Sequence, residues 1–237
     1  MLVIPMIGLL ASCSSSSKPS TIVTDGVVIS VPDQKLALFH RGNIVKSYDV
    51  STSKFGVGDT RGSCRTPLGL HRVAAKIGDR QPQGMVFKNR RPTGELVAPN
   101  APGRDPIVTR IIRLQGLEYR NRNAFARNIY IHGTPEERKI GRPASYGCIR
   151  MKSRDITEIY PYVWLGAPVS VERCSLTASA KAAEEYLTAR GMYRPLAQTS
   201  SKKKEKKVIR LTKAEQPSQV QDKSLVDNSS SEGWDRI

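Results

Sequence analysis

Apolar residues in the first two thirds of this chain recur at every second position, or in short β-branched runs. VVISVP at 27–32, KLALFHRG at 35–42 and NIVKSYDVS at 43–51 read as three strands, with Arg41-Gly42-Asn43 as a hairpin signal. STSKFGVGDTRGSCRTPLG at 51–69 is rich in Gly, Ser and Thr and reads as loop, and 70–75 resumes strand. The stretch 76–105 carries many Gly, Pro and Arg residues without periodicity and is expected to be a long loop excursion. PIVTRIIRLQGL at 106–117 and 129–132 return to strand character. After Met151 the period changes. Ile156, Ile159, Tyr160 and Val163 share a helical face, Ser153 is expected to cap that helix, and Asp155 and Glu158 suit its positive end. Residues 168–172 read as a closing strand and 176–190 as a second amphipathic helix, with Gly191 past its end.

The two ends have other compositions. Residues 1–13, MLVIPMIGLLASC, are apolar and too short to span a bilayer as a mature helix. Residues 1–12 read as a secretory signal whose Leu10-Ala11-Ser12-Cys13 ending is similar to a bacterial lipobox, with Cys13 as the lipidated residue. No Lys or Arg precedes the apolar run, which leaves open a start further upstream. The alternative is an apolar terminus of a cytosolic protein. Ser14–Thr21 has linker composition, and Ser14 after Cys13 favours outer-membrane over inner-membrane sorting by analogy. From about residue 198 the chain is Lys-, Ser- and Gln-rich, with KKKEKK at 202–207, a composition that cannot bury a core. The expected organisation is therefore a signal at 1–12, a lipidated Cys and linker at 13–21, one domain at 22–173, a helical extension at 174–197 and a solvated tail at 198–237.

Lys and Arg outnumber Asp and Glu by 38 to 21, a formal charge of +17. The excess is not only in the tail, since 22–172 holds 24 basic and 13 acidic residues. Such a surface favours an anionic partner: nucleic acid, anionic lipid or an anionic polymer. Nothing singles out nucleic acid: there is no finger spacing, basic heptad helix or aromatic RNA-binding run.

Chemistry concentrates at 129–152, IYIHGTPEERKIGRPASYGCIRMK, which holds one of three histidines and one of four cysteines. A thiol near neutral pH needs a base or a thiolate-favouring environment to act as a nucleophile, and His132 at a strand end can supply the base to Cys148 on a glycine-rich turn. Gly147 frees the backbone, and the amides of Tyr146, Gly147 and Cys148 are placed to form an oxyanion hole. Taken by residue type alone, a buried Cys and an unrelated surface His is the favoured reading. One Cys and one His fall short of the four ligands of a structural zinc site, so no metal and no cofactor is expected.

The whole string resembles the L,D-transpeptidase catalytic domain family (YkuD-like; ErfK/YbiS/YcfS/YnhG). The resemblance rests on IHGT at 131–134, SYGCIRM at 145–151, SYDVSTSKFGVGD and Thr66-Pro67-Leu68-Gly69, and covers about 27–171. It implies a mostly β domain, a curved sandwich or barrel-like mixed sheet with a short helix after the Cys. It implies Cys148 as nucleophile and His132 as general base and acid, with Ser145, Tyr146, Gly147 and Gly133 around the oxyanion and substrate. Arg150 is expected either to meet a substrate carboxylate or to form a structural ion pair within the turn. The implied partners are peptidoglycan stem tetrapeptides, and the implied product is a 3→3 cross-link or a wall-anchored protein. Alternatives are an L,D-carboxypeptidase or murein hydrolase on the same site, or a non-catalytic wall-binding lipoprotein. The family usually has a second His where this chain has Tyr146. His71 reads as a strand-surface residue and no substitute for it. Cys64 and Cys174 remain, and whether they pair is left open. The expected location is the periplasmic face of an exported lipoprotein, anchored in the outer membrane.

Overall fold

The computed structural model describes residues 18–192. The expectations for the signal, for Cys13 and for the Lys-rich tail lie outside the described residues. Ten strands form one mixed sheet: β1 (Gly26–Ser30), β2 (Lys35–His40), β3 (Asn43–Asp49), β4 (Gly69–Ile77), β5 (Met85–Lys88), β6 (Arg91–Leu96), β7 (Ile107–Gly116), β8 (Tyr130–Gly133), β9 (Ile149–Met151) and β10 (Pro168–Glu172). The order runs β3-β2-β1-β10-β4-β7, then β5 and β6. β8 pairs with β7 and carries β9 as a parallel neighbour. Paired backbone bonds of 2.9 Å between Ser51 and Arg150 tie β9 back to the chain leaving β3. The sheet thus curls toward closure, and the expected mostly β, barrel-like fold is the one observed.

The two-sided burial of β1 explains its unbroken apolar sequence. Val27 and Ile29 enter the main core with Leu36, Leu38, Ile112 and Leu114, while Val28 on the other face packs with Phe39, Leu176 and Ala183. The latter two belong to α2 (Leu176–Ala189), whose N-cap Ser175 accepts a bond from the Ala178 amide at 3.1 Å. Gly191 follows with φ +64°, the left-handed residue that ends such a helix. α1 (Ser153–Ile159) buries Ile156 and Ile159 in the main core.

Two local expectations are corrected. Residues 76–105 are not one long loop: β4 continues to Ile77, and β5 and β6 form a hairpin turning on Asn89 and Arg90, both at positive φ. Every residue of β6 is exposed, so no alternation marks it. Ser153 does not cap α1 either. Lys152 holds that position, Ser153 is the first helical residue, and its amide donates to Glu137 Oε1 at 2.8 Å. The Ser153 hydroxyl instead accepts from Thr109 Oγ1 at 2.8 Å.

Candidate active site

β8 and β9 run parallel with Ile131 opposite Ile149, so Tyr130 lies level with Cys148, one residue before β9. Alternate strand residues share a face, which puts Tyr130, His132 and Cys148 on the same side of the β8–β9 pair. Gly133 permits the crowding behind them, because a Cβ there would lie 2.6 Å from the Val108 carbonyl oxygen.

His132 is buried, and its Nδ1 lies 2.8 Å from the Gly133 carbonyl. A carbonyl only accepts, so Nδ1 carries the proton and Nε2 keeps its lone pair. Burial lowers the imidazole pKa from 6.5 to about 4, against the raising effect of that bond. Half-buried Cys148 donates its thiol to the Asn128 carbonyl at 3.4 Å. Burial raises its pKa from 9.0 to about 11, opposed by the backbone at Tyr130 and by Arg150 and Arg127. With these shifts both groups are uncharged at neutral pH, a thiol and a base-competent imidazole on one face of the β8–β9 pair.

The turn carrying Cys148 is fixed from several directions. Ser145 is fully buried, and its hydroxyl donates to the Cys148 carbonyl at 2.5 Å and accepts from the Gly147 amide at 3.3 Å. Thr66, from the TPLG element, donates to the Gly147 carbonyl at 3.0 Å and accepts from the Ser53 amide at 3.0 Å. Gly147 sits at φ +124°, a conformation open to glycine, and a Cβ there would press on the Arg65 carbonyl at 3.3 Å. The long bond from the Gly147 amide is weak enough to exchange for an oxyanion.

Arg150 realises its structural alternative, although its partners lie outside the turn. Its guanidinium pairs with Asp105 at 2.6 Å and Glu136 at 3.2 Å, all three at least half-buried, and bonds the Ala144 carbonyl at 3.3 Å. With its charge met by two carboxylates of this chain, Arg150 braces the loops that carry Asp105 and Glu136. Asp105 also accepts from Thr134 Oγ1 at 2.5 Å, and burial raises its pKa against those two partners. Tyr146 is exposed. Its hydroxyl accepts from Lys54 Nζ at 2.9 Å, and its ring meets Phe55 at 5.6 Å between centroids.

His71 is not a surface residue. It is completely buried, with Nδ1 2.9 Å from the Gly69 carbonyl, and burial lowers its pKa. Cys64 and Cys174 are both free thiols, and Cys174 Sγ lies 3.3 Å from Ser179 Oγ. Among the described residues, no three His, Cys, Asp or Glu side chains come together as a metal site, and no helix is long and apolar enough to cross a membrane.

Sequence reasoning missed a second brace. Arg127 and Asp59, each 7 % exposed, pair at 3.0 Å, and Arg127 also bonds the Gly58 and Arg65 carbonyls. Asn123 holds the same Asp59 through its backbone amide at 2.6 Å. This clamp fixes the loop at 58–65 that borders Gly147. Its only sequence trace was Asp59 within the FGVGD string, with nothing to point to Arg127.

A strand-end imidazole and a cysteine on a braced glycine turn share one face of a curled β-sheet, and that arrangement defines a class of Cys–His β domain. Within that class the chain belongs to the YkuD family: the L,D-transpeptidase catalytic domain profile matches residues 24–171. Comparison with curated protein sequences returned no match. Among solved structures, the chain is similar to an L,D-transpeptidase from Xylanimonas cellulosilytica (18 % identity, TM-score 0.41, covering 65 % of this chain and 63 % of that one). It is also similar to one from Mycobacterium smegmatis (17 %, 0.40, covering 62 % and 57 %) and one from Enterococcus faecium (16 %, 0.41, covering 63 % and 50 %). The match spans less than two thirds of each of those chains.

Proposed function

We propose that this protein is an L,D-transpeptidase acting on peptidoglycan stem tetrapeptides through a Cys148 thioester. The observation that carries the reading is the fixed tautomer of His132, which leaves Nε2 as its proton acceptor on the face it shares with Cys148. As the thiol sulfur adds to the carbonyl of the third stem residue, its proton passes to His132 Nε2. The carbonyl oxygen takes the negative charge and is met by the amides of Gly147 and Cys148, in the same turn as Tyr146. The carbon–nitrogen bond to the terminal D-alanine breaks, and the Nε2 proton goes to the leaving amine. An acceptor amine then adds to the thioester, loses its proton to Nε2, and expels the sulfur, which regains the proton. A stem amine gives a 3→3 cross-link, a protein amine anchors that protein to the wall, and water gives a trimmed stem.

The uncharged resting pair supports general-base attack, in which the thiol loses its proton only as it bonds. The transfer is assigned to His132 alone, and the Tyr146 hydroxyl accepts from Lys54 Nζ. The basic surface and a lipid on Cys13 would keep the domain at the anionic wall from the periplasmic face of the outer membrane.

Incubation with a tetrapeptide donor tests the reading. Wild type is expected to gain the mass of the donor less D-alanine on Cys148, and Cys148→Ala to gain none. Muropeptide analysis of treated sacculi then separates 3→3 cross-links from trimmed stems. An acylated Cys148→Ala protein, or no adduct on wild type, would sink the assignment.

A further inference from the structure

Tyr146 closes one side of a cavity of about 660 Å³ that neither Cys148 nor His132 lines. Arg150, Asp105 and Glu136 form its inner wall, and Lys54, Lys139 and Arg142 stand at it from the surface. The charges do not cancel. Arg150 is held by Asp105 and Glu136, and Lys139 pairs with Glu136. Lys54 and Arg142 are left with no carboxylate partner among the described residues.

Lys54 is also held in place. Its ammonium bonds the Tyr146 hydroxyl and lies 4.3 Å from the centre of that ring and 5.2 Å from that of Phe55. A cation held by a phenol and two rings, with no carboxylate partner among the described residues, is positioned for an incoming anion. Arg142, on the same cavity, offers the planar fork that matches a carboxylate. The cavity therefore has two uncompensated cations and an aromatic wall, beside the turn that carries the thiol.

We infer that this cavity is a subsite for a free carboxylate of a stem peptide, held by Arg142 and Lys54 against the Tyr146 ring. The inference rests on the proposed function for the identity of the peptide. The same chemistry is present on the donor and the acceptor stem, and the two half-reactions tell them apart.

Binding is read first, without chemistry, in the full-length Cys148→Ala protein by calorimetry, using a stem tetrapeptide, a stem tripeptide and their carboxamide counterparts. Exposed ion pairs are weak, so Arg142→Gln is expected to weaken binding of the acids about fivefold, and Lys54→Gln with Arg142→Gln about twentyfold. Arg142→Lys is expected to recover part of the loss, and the carboxamides to bind all variants equally weakly. Equal affinity for acid and carboxamide, or acid binding untouched by both substitutions, would overturn the inference. In proteins retaining Cys148, a higher KM for thioester formation assigns the carboxylate to the donor, and a higher KM for transfer alone assigns it to the acceptor. No change in either also overturns it. A wild-type protein that forms no thioester defeats the proposed reaction separately, because the binding arm uses no turnover.

Discussion

The thiol of Cys148 is predicted to react more slowly at neutral pH, in the absence of substrate, than an unhindered cysteine. The perturbation is pH itself. A pKa moved from 9.0 to about 11 cuts the thiolate fraction at pH 7 about a hundredfold. A more basic thiolate is intrinsically more nucleophilic, and a Brønsted slope near 0.4–0.5 returns about tenfold of that loss. The net expectation is alkylation by iodoacetamide about tenfold slower than for the same cysteine in the urea-unfolded chain. The assay follows the mass of the peptide bearing Cys148 between pH 6 and 10.5, which separates it from Cys64 and Cys174. The folded rate should climb throughout that range without a plateau. His132→Gln should leave the profile in place, since the imidazole is uncharged and is not among the groups that set the thiol pKa, yet it should abolish acylation by a peptide donor. A plateau below pH 8, lost in His132→Gln, would show a resting thiolate–imidazolium pair and refute the general-base account.

Two further outcomes follow from the site's charges. The neutral form of buried His132 favours the fold, and the unfolded chain binds its proton first as pH falls below 6.5. Stability is therefore intact above that value and should fall by about 3 kcal/mol by pH 4, with buried His71 adding to the loss in the same direction, as measured by urea unfolding at each pH. Arg150→Ala should cost about 3–5 kcal/mol, because it leaves Asp105 and Glu136 beside each other without their shared cation, and lowering the pH should recover part of that loss.

Fold and site differed in what the residues disclosed. The candidate pair was legible because the motif is local, with a strand ending in His132 and a turn ending in Cys148. The braces were not. Asp105 and Glu136 reach Arg150 from loops, and Arg127 reaches Asp59 from 68 positions away, so no spacing signals either contact. The β5–β6 hairpin was missed because its turn uses Asn89 and Arg90 at positive φ in place of a glycine, and because wholly exposed β6 carries no apolar stripe. His71 stands at a position whose neighbour Arg72 is exposed, and the same alternation that exposes Arg72 buries His71. Period alone indicates that two residues face opposite ways, but not which of the two faces the core.

The place of β10 in the sheet has a consequence for when this protein can fold. The last strand lies between β1 and β4, parallel to the first strand, with Val27 opposite Val169. Until residues near Glu172 are available, β1–β3 and β4–β9 are two open pieces with unpaired inner edges. Joining β1 to β10 closes a loop of more than a hundred residues, and such distant pairings slow folding. The sheet can therefore close only once nearly three quarters of the 237 residues have been made, and until then the growing chain stays pliable.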